Sequence, residues 1–275
     1  MQIRRGTWQN SDQRSSRDDV LSHRMAADAA TDCRRSHLRL RAGGAIYRKQ
    51  GSKQREHREV KIKMEFKREQ LLLYAVTNRV HAVNETLYDQ VGKALEGGVT
   101  CVQLREKYMA DSEFIREAVR LRELCHSFGV PLIINDNVNV ALESGADGVH
   151  VGQGDRPAAE IRKLAGSDFI IGVTAKTVEQ ACRAQADGAD YIGSGAVFPS
   201  PTKQGAIRIT KDQLREICGS VQIPAVAIGG VSLDNMKELK GCGMAGFAVV
   251  SAVFAAEDIE GTARMMRSEA ERLVD

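Results

Sequence analysis

From Met64 onward the sequence predicts an α/β chain closed into a (β/α)8 barrel, the TIM-barrel architecture. Three observations predict it. Short runs rich in Val and Ile alternate with segments of helical period, the pattern of parallel strands joined by right-handed helical crossovers. Runs such as Leu132-Ile133-Ile134 and Ala225-Val226-Ala227-Ile228 are apolar at every position, which indicates burial on both faces of a parallel sheet. Eight such units in the last 212 residues average about 26 residues each, a spacing that suits a compact eight-stranded barrel. The doubly wound alternative requires a glycine-rich loop after the first strand, and residues 75–79 read Ala-Val-Thr-Asn-Arg.

In chain order the expected strands are 72–77, 101–105, 131–136, 148–152, 170–174, 191–197, 225–230 and 247–251. Expected helices lie between them at 87–96, 112–128, 138–144, 158–165, 178–187, 211–220 and 233–240. Glycine recurs just before several strands, at 96–100, 144–147, 187–190 and 241–245. There it ends a helix in the left-handed conformation and turns the chain into the next strand, so these glycines are read as structural.

The composition is that of a globular chain, with 43% apolar and 27% charged residues. All apolar runs fall far short of the roughly 18 to 20 residues a membrane helix needs, which argues against a membrane protein. Six cysteines, Cys33, Cys101, Cys125, Cys182, Cys218 and Cys242, show neither CxxC pairing nor the density of a disulfide scaffold, so buried free thiols in a reducing cytoplasm are expected.

Charge is unevenly spread. Residues 1–63 hold 16 Lys and Arg against 7 Asp and Glu, leaving a net −6 on the remainder of a chain whose total is +3. The segment contains the only tryptophan, Trp8, and shows no sustained apolar period with which to bury a core. It lacks the apolar stretch of a secretory signal, and Asp12, Asp18, Asp19, Asp28 and Asp32 count against an acid-poor transit peptide. A nucleic-acid-binding arm would need only basic charge, yet no motif supports a specific site. The domain division expected is therefore an irregular basic extension over 1–63, read as an upstream extension of the reading frame or a tail without a core, and one catalytic barrel over 64–275.

In a barrel, chemistry sits where the strands end. Polar residues gather there: Gln103, Leu104, Arg105, Glu106 and Lys107 after the second strand; Asn135 and Asp136 after the third; Asp155 after the fourth; Thr174 and Lys176 after the fifth. Ser200, Pro201, Thr202 and Lys203 follow the sixth strand, Gly229 and Gly230 the seventh, and Val250 and Ser251 the eighth. Asp136 and Asp155 could each serve as a helix cap, but as a pair beside cations they suit magnesium, which takes one or two carboxylates plus substrate phosphates. Arg105, Lys107 and Lys203 supply the charge and donors a diphosphate requires; the structural alternative is a solvated rim paired with Glu106. Gly229, Gly230, Val250 and Ser251 stand where barrels often hold a phosphate on backbone donors. No histidine spacing resembles a zinc site. His150 is expected to pack, facing either the barrel interior or the helix layer, and no cysteine has an activating base at short spacing.

The strings Gln-Leu-Arg-Glu-Lys (103–107), Ile-Ile-Asn-Asp (133–136), Gly-Ala-Asp-Gly-Val-His-Val-Gly-Gln-Gly-Asp (145–155), Ile-Gly-Val-Thr-Ala (171–175), Asp-Tyr-Ile-Gly-Ser-Gly-Ala-Val-Phe-Pro-Ser-Pro-Thr-Lys (190–203) and Ala-Ile-Gly-Gly-Val (227–231) together resemble the thiamine-phosphate synthase family. The likeness runs in order from about 72 to 254 and does not reach residues 1–63. It implies a magnesium-dependent barrel transferase that joins hydroxymethylpyrimidine diphosphate to a thiazole phosphate and releases diphosphate. Carried over by motif, Gln103, Leu104, Arg105, Glu106, Lys107, Asn135, Thr174 and Lys203 would bind the pyrimidine diphosphate. Of these, Arg105, Lys107, Thr174 and Lys203 would act catalytically. Asp136 and Asp155 would ligate Mg2+, and Ser200, Pro201, Thr202, Gly230, Val250 and Ser251 would hold the thiazole phosphate.

Thr174 stands where the family usually has serine, while Asn78, Asn137, Asn139 and Gly154 depart from common family residues. The expected partners are small-molecule substrates, with neither nucleic acid nor membrane, and with self-association as a homo-oligomer left open; the expected compartment is the cytoplasm. Two alternatives remain at this level: a related thiazole-phosphate tautomerase on the same fold, and a ligand sensor without turnover.

Overall fold

Eight strands of four or five residues account for the closed sheet, and their brevity follows from the sequence, since a polar residue or glycine ends each apolar run. The computed structural model describes residues 66–83, 85–199 and 207–274. The expectations placed on residues 1–63 and on Ser200, Pro201, Thr202 and Lys203 lie outside the described residues. Along the chain run β1 (Leu73–Val76), α1 (Leu87–Glu96), β2 (Cys101–Leu104), α2 (Asp111–Ser127), β3 (Leu132–Asn135), α3 (Val138–Ser144), β4 (Gly148–Val151) and α4 (Ala158–Ala165). They continue with β5 (Ile170–Thr174), α5 (Val178–Ala186), β6 (Tyr191–Gly195), α6 (Lys211–Gly219), β7 (Ala225–Ile228), β8 (Gly246–Val249), α7 (Ser251–Phe254) and α8 (Ile259–Leu273). All neighbouring strands pair in parallel, and β8 returns to β1 to close the barrel, with Leu73 opposite Phe247 and Tyr74 opposite Ala248.

Two apolar groups result from the two-residue alternation of side chains. Leu73, Val102, Leu104, Leu132, Ile134, Val149 and Ile171 face outward into a shell shared with the helices. Tyr74, Cys101, Ile133, Ile170, Tyr191, Val226 and Ala248 face the barrel axis. No described helix is long and apolar enough to cross a membrane.

Expected and observed elements agree in order and type, with informative differences. The expected strands overrun by up to two residues at the mouth, and Ser251, placed at the end of the eighth strand, instead opens α7. The helix expected at 233–240 is only a 3-10 turn, Met236–Leu239. Asn235 fixes its start, accepting from Ser232 N at 2.9 Å and donating to Gly230 O at 2.8 Å, and the turn ends where Lys240 leaves the helical conformation (ψ 136°) ahead of Gly241 at φ 73°. Helix α8 lies outside the expected set, although its buried positions Ile259, Ala263, Met266, Ala270 and Leu273 recur at helical spacing. The described cysteines are unpaired, but only Cys101, Cys125 and Cys242 are buried; Cys218 is half-buried and Cys182 exposed, which corrects the expectation of uniformly buried thiols.

The glycine turns are as expected: Gly98, Gly145, Gly188, Gly241 and Gly243 all have positive φ. The residue two positions after each of the first three does further work. The Oγ1 atom of Thr100 accepts the Leu73 amide at 2.9 Å, Asp147 Oδ2 the Leu132 amide at 2.8 Å, and Asp190 Oδ2 the Ile171 amide at 2.7 Å. Each stitches the start of its own strand to the amide of the preceding one. Arg162 Nη2 adds a 2.6 Å ion pair to Asp190. Asp190→Ala should lower the unfolding free energy by about 1–3 kcal/mol, because an amide loses its acceptor. This end of the barrel lies opposite the strand carboxyl ends, so urea denaturation should show the loss while turnover per folded molecule stays at the wild-type level.

Candidate active site

At the carboxyl ends of the strands the inward positions turn from apolar to polar. Gln103, Arg105, Lys107, Asn135, Asp136, Asp155, Thr174 and Lys176 line one cavity of about 410 Å³, together with Tyr74 and His150 below them. A smaller cavity of about 250 Å³ is lined by Pro199, Gly230, Ser232, Val250 and Ser251, and it shares Gly229, Ala248 and Val250 with the first. The two are therefore contiguous over β7 and β8.

Local bonds fix the rim. Thr77 Oγ1 accepts from Arg105 N at 3.0 Å, pinning the chain where it leaves β2. Asp136 is the only described non-glycine residue with positive φ, at 61°, a conformation that aspartate tolerates better than most residues but that still costs energy. Its Oδ2 pairs with Lys107 Nζ at 2.7 Å and its Oδ1 accepts from Asn135 Nδ2 at 2.6 Å. Asp155 Oδ2 accepts from Gly152 N at 2.7 Å, and Gln153 Nε2 donates to Thr174 O at 2.6 Å, tying the loop after β4 to the end of β5. Gly230 (φ 69°) approaches Phe198 and Pro199 so closely that a Cβ would strike their carbonyl oxygens.

Beneath the rim a run of polar side chains crosses the barrel. Gln103 Nε2 donates to Tyr74 Oη at 2.7 Å, Tyr74 Oη lies 2.8 Å from Tyr191 Oη, Tyr191 Oη lies 3.1 Å from His150 Nδ1, and His150 Nε2 lies 3.0 Å from Thr174 Oγ1. Burial pushes both tyrosine hydroxyls well above their ordinary range and brings His150 down to about 4, because desolvation disfavours the charged form of each. His150 is therefore neutral at physiological pH.

Among the predicted residues, Gln103, Arg105, Lys107, Asn135, Asp136, Asp155 and Thr174 meet at the first cavity, and Gly230, Val250 and Ser251 at the second. Leu104 does not join them: its side chain is fully buried in the helix-facing shell. Alternation alone sends it there once Gln103 and Arg105 point inward. Glu106 turns to Arg79, at 2.8 Å, so it pairs with neither Arg105 nor Lys107. Ser200, Pro201, Thr202 and Lys203 are not among the described residues. Tyr74 and Tyr191 carry no expected role, and the expectation for His150 is open between interior and helix layer; His150 faces the interior and lines the cavity. The available signal was strand parity, since Tyr74, His150 and Tyr191 fall on the inward register of their strands. Two of the departures from family residues cap local structure. Asn78 accepts from Val80 N at 3.3 Å, and Asn137 caps α3 by accepting from Val140 N at 3.0 Å.

The family model of thiamine monophosphate synthase matches residues 73–253, the span of the barrel that carries this site. The chain belongs to the thiamine monophosphate synthase family. It is 42% identical over 201 residues to the thiamine-phosphate synthase of Clostridium botulinum, covering 73% of this chain and 94% of that one. It is 46% identical over 188 residues to that of Methanobrevibacter smithii, covering 68% and 90%. Among solved structures it resembles thiamine phosphate pyrophosphorylase from Pyrococcus furiosus, with a TM-score of 0.70 and 37% identity over 76% of this chain and 99% of that one.

Neutral burial of His150 has a consequence for stability in this family member. The unfolded chain protonates this histidine near the ordinary value of about 6.5, whereas the folded one does so only near 4. Its contribution to stability is thus fully present above about pH 6.5 and declines as pH falls toward 4, by up to about 3 kcal/mol. Denaturation curves of wild type and His150→Gln between pH 4 and 7 should diverge in slope, with the variant less pH-dependent.

Proposed function

We propose that this chain makes thiamine phosphate by joining hydroxymethylpyrimidine diphosphate to a thiazole phosphate, with the larger cavity holding the first substrate and the smaller one the phosphate of the second. The observation that carries the reading is convergence: in a chain of this family, Gln103, Arg105, Lys107, Asn135, Asp136, Asp155 and Thr174, drawn from four successive strands, line a single cavity beside a glycine-lined one that shares Gly229, Ala248 and Val250 with it.

Arg105 and Lys107 bind the diphosphate, the guanidinium by its planar fork and the ammonium as a mobile charge, with Lys203 added from the family pattern. Gln103 and Asn135 orient the pyrimidine diphosphate, and Gly230, Val250 and Ser251 receive the thiazole phosphate on backbone and hydroxyl donors. Magnesium suits the donor set at the mouth: two carboxylates, Asp136 and Asp155, line the cavity, and no cluster of three or more acidic, histidine or cysteine ligands exists among the described residues, so substrate oxygens would complete the coordination. When bound, magnesium supplies positive charge that offsets the charge growing on the departing diphosphate.

The chemistry then asks little covalent work of the protein. The bond between the pyrimidine methylene carbon and the diphosphate oxygen breaks, with its electron pair leaving on oxygen. The electron-rich aminopyrimidine stabilises the resulting cation, which the thiazole nitrogen captures. Arg105, Lys107 and Thr174 stabilise the leaving group, and the cavity aligns the two substrates and limits water. Residues 64–275 suffice for this reaction in the proposal, and the unpaired cysteines among the described residues fit a reducing cytoplasm.

Diphosphate release by the full chain should require both substrates and should stop on chelation of magnesium. Release from either substrate alone, or no release at all, would overturn the reading. Arg105→Ala and Asp136→Ala should each lower kcat on the order of 100-fold or more, the scale of losing a charge-stabilising group; near-wild-type rates at saturating magnesium would remove those assignments. Protein lacking residues 1–63 should match the full chain.

A further inference from the structure

The polar run across the barrel joins two residues assigned above to the pyrimidine diphosphate, Gln103 on β2 and Thr174 on β5, through three side chains with no assigned role. We propose that Tyr74, Tyr191 and His150 form a directional hydrogen-bond relay that holds His150 in its Nε2–H tautomer and thereby aims the Thr174 hydroxyl proton at the departing diphosphate. His150 and Tyr191 are positioning residues, and the inference rests on the function proposed above.

The direction follows from counting protons. Gln103 presents its amide nitrogen to Tyr74 Oη at 2.7 Å, so Tyr74 accepts there. A phenol has one proton; the neighbouring Cys101 thiol, which burial keeps protonated, is only a weak acceptor, so the Tyr74 proton goes to Tyr191 Oη, 2.8 Å away. Tyr191 then has its own proton to give, and His150 Nδ1 at 3.1 Å receives it. A neutral imidazole that accepts at one nitrogen donates from the other, so Nε2–H points to Thr174 Oγ1 at 3.0 Å. Thr174 spends a lone pair on this bond, and its proton remains for the cavity that it lines. In the opposite order Thr174 would spend its proton on His150 and turn only lone pairs toward an anion.

Space supports the same arrangement. A Cβ on Gly172 would collide with the Tyr191 hydroxyl and lie 2.5 Å from His150 Nδ1, and one on Gly193 would lie 3.0 Å from His150 Cε1. Neither glycine has positive φ, so it is volume and not backbone conformation that calls for glycine there. Tyr74 and Tyr191 are fully buried and His150 nearly so. Every link from Gln103 to Thr174 then has both a donor and an acceptor, the condition under which a buried polar chain is stable.

Two measurements on the full chain test this. Long-range 1H–15N correlation of imidazole-labelled protein, with the His150 signals assigned by their loss in His150→Gln, should show a neutral Nε2–H ring; an Nδ1–H or charged ring overturns the relay without reference to activity. In steady-state kinetics, His150→Leu and Thr174→Val should each lower kcat by roughly 10- to 100-fold, the range of a hydrogen bond to a charged group, with KM for the thiazole phosphate little changed. The double variant should be no slower than Thr174→Val within about twofold, because both substitutions remove one interaction. His150→Gln, whose amide nitrogen can stand in for Nε2, should recover most of the loss.

Multiplicative losses, or a KM effect without a kcat effect, would make His150 merely structural. Tyr191→Phe keeps the ring and packing, and its loss should likewise be absorbed by Thr174→Val; this pair decides the matter if His150→Leu does not fold. Wild-type protein that fails to release diphosphate rejects the proposed function, whereas active wild type with independent losses rejects the relay alone.

Discussion

Pairing of β8 with β1 is the constraint on which the rest depends. Once Tyr74 lies opposite both Cys101 and Ala248, the sheet has no edge, and every second side chain of eight strands must share the space around one axis. That space is narrow. Large residues such as Tyr74, Tyr191 and Ile133 fit because others on the same inward register, Gly148, Gly172, Gly193 and Gly246 among them, have no side chain. Closure also makes the helix-facing shell continuous, since each outward side chain meets a helix that its own crossover has brought onto the barrel surface.

The interior is graded along the axis. Leu71, Ile133, Ile170 and Ala245 fill the end where the strands begin, while Gln103, Asn135, His150 and Thr174 occupy the end where they finish. Tyr74 and Tyr191 sit at the junction, with rings among the apolar residues and hydroxyls in the polar run. Amphipathic side chains suit such a boundary, because the ring is buried and the hydroxyl still finds a partner. The polar layer sits on a floor that excludes water, which raises the cost of an unpaired group there and favours a fully connected arrangement.

Above this layer the two ends of the barrel divide their tasks. At the strand starts, Thr100, Asp147 and Asp190 bind neighbouring backbone amides and serve the fold. At the strand ends, Asp136 and Asp155 face a cavity beside Arg105 and Lys107. The same residue type is thus structural at one end and chemical at the other, and position along the strand decides which. Asp136 further adopts a backbone conformation that few side chains favour, in keeping with strain gathered at functional sites.

Much of this was legible in the sequence. Alternating Val and Ile runs and helical segments determined the order and type of nearly all elements, because burial on both faces of a parallel sheet leaves a direct mark on composition. Polar residues following those runs located the mouth, and Gln103, Arg105, Lys107, Asn135, Asp136, Asp155 and Thr174 came together there. The sequence did not separate Leu104 and Glu106 from their neighbours within one motif, since a contiguous string spans both faces of a strand and the loop beyond it. Nor did it show that residues 233–240 would form only a single 3-10 turn. Above all it could not join Gln103, Tyr74, Tyr191, His150 and Thr174, which come from five strands up to 117 positions apart. Local pattern determines which face a residue can take, but which side chains meet on the axis depends on the registers of all eight strands at once, and only the closed barrel sets those.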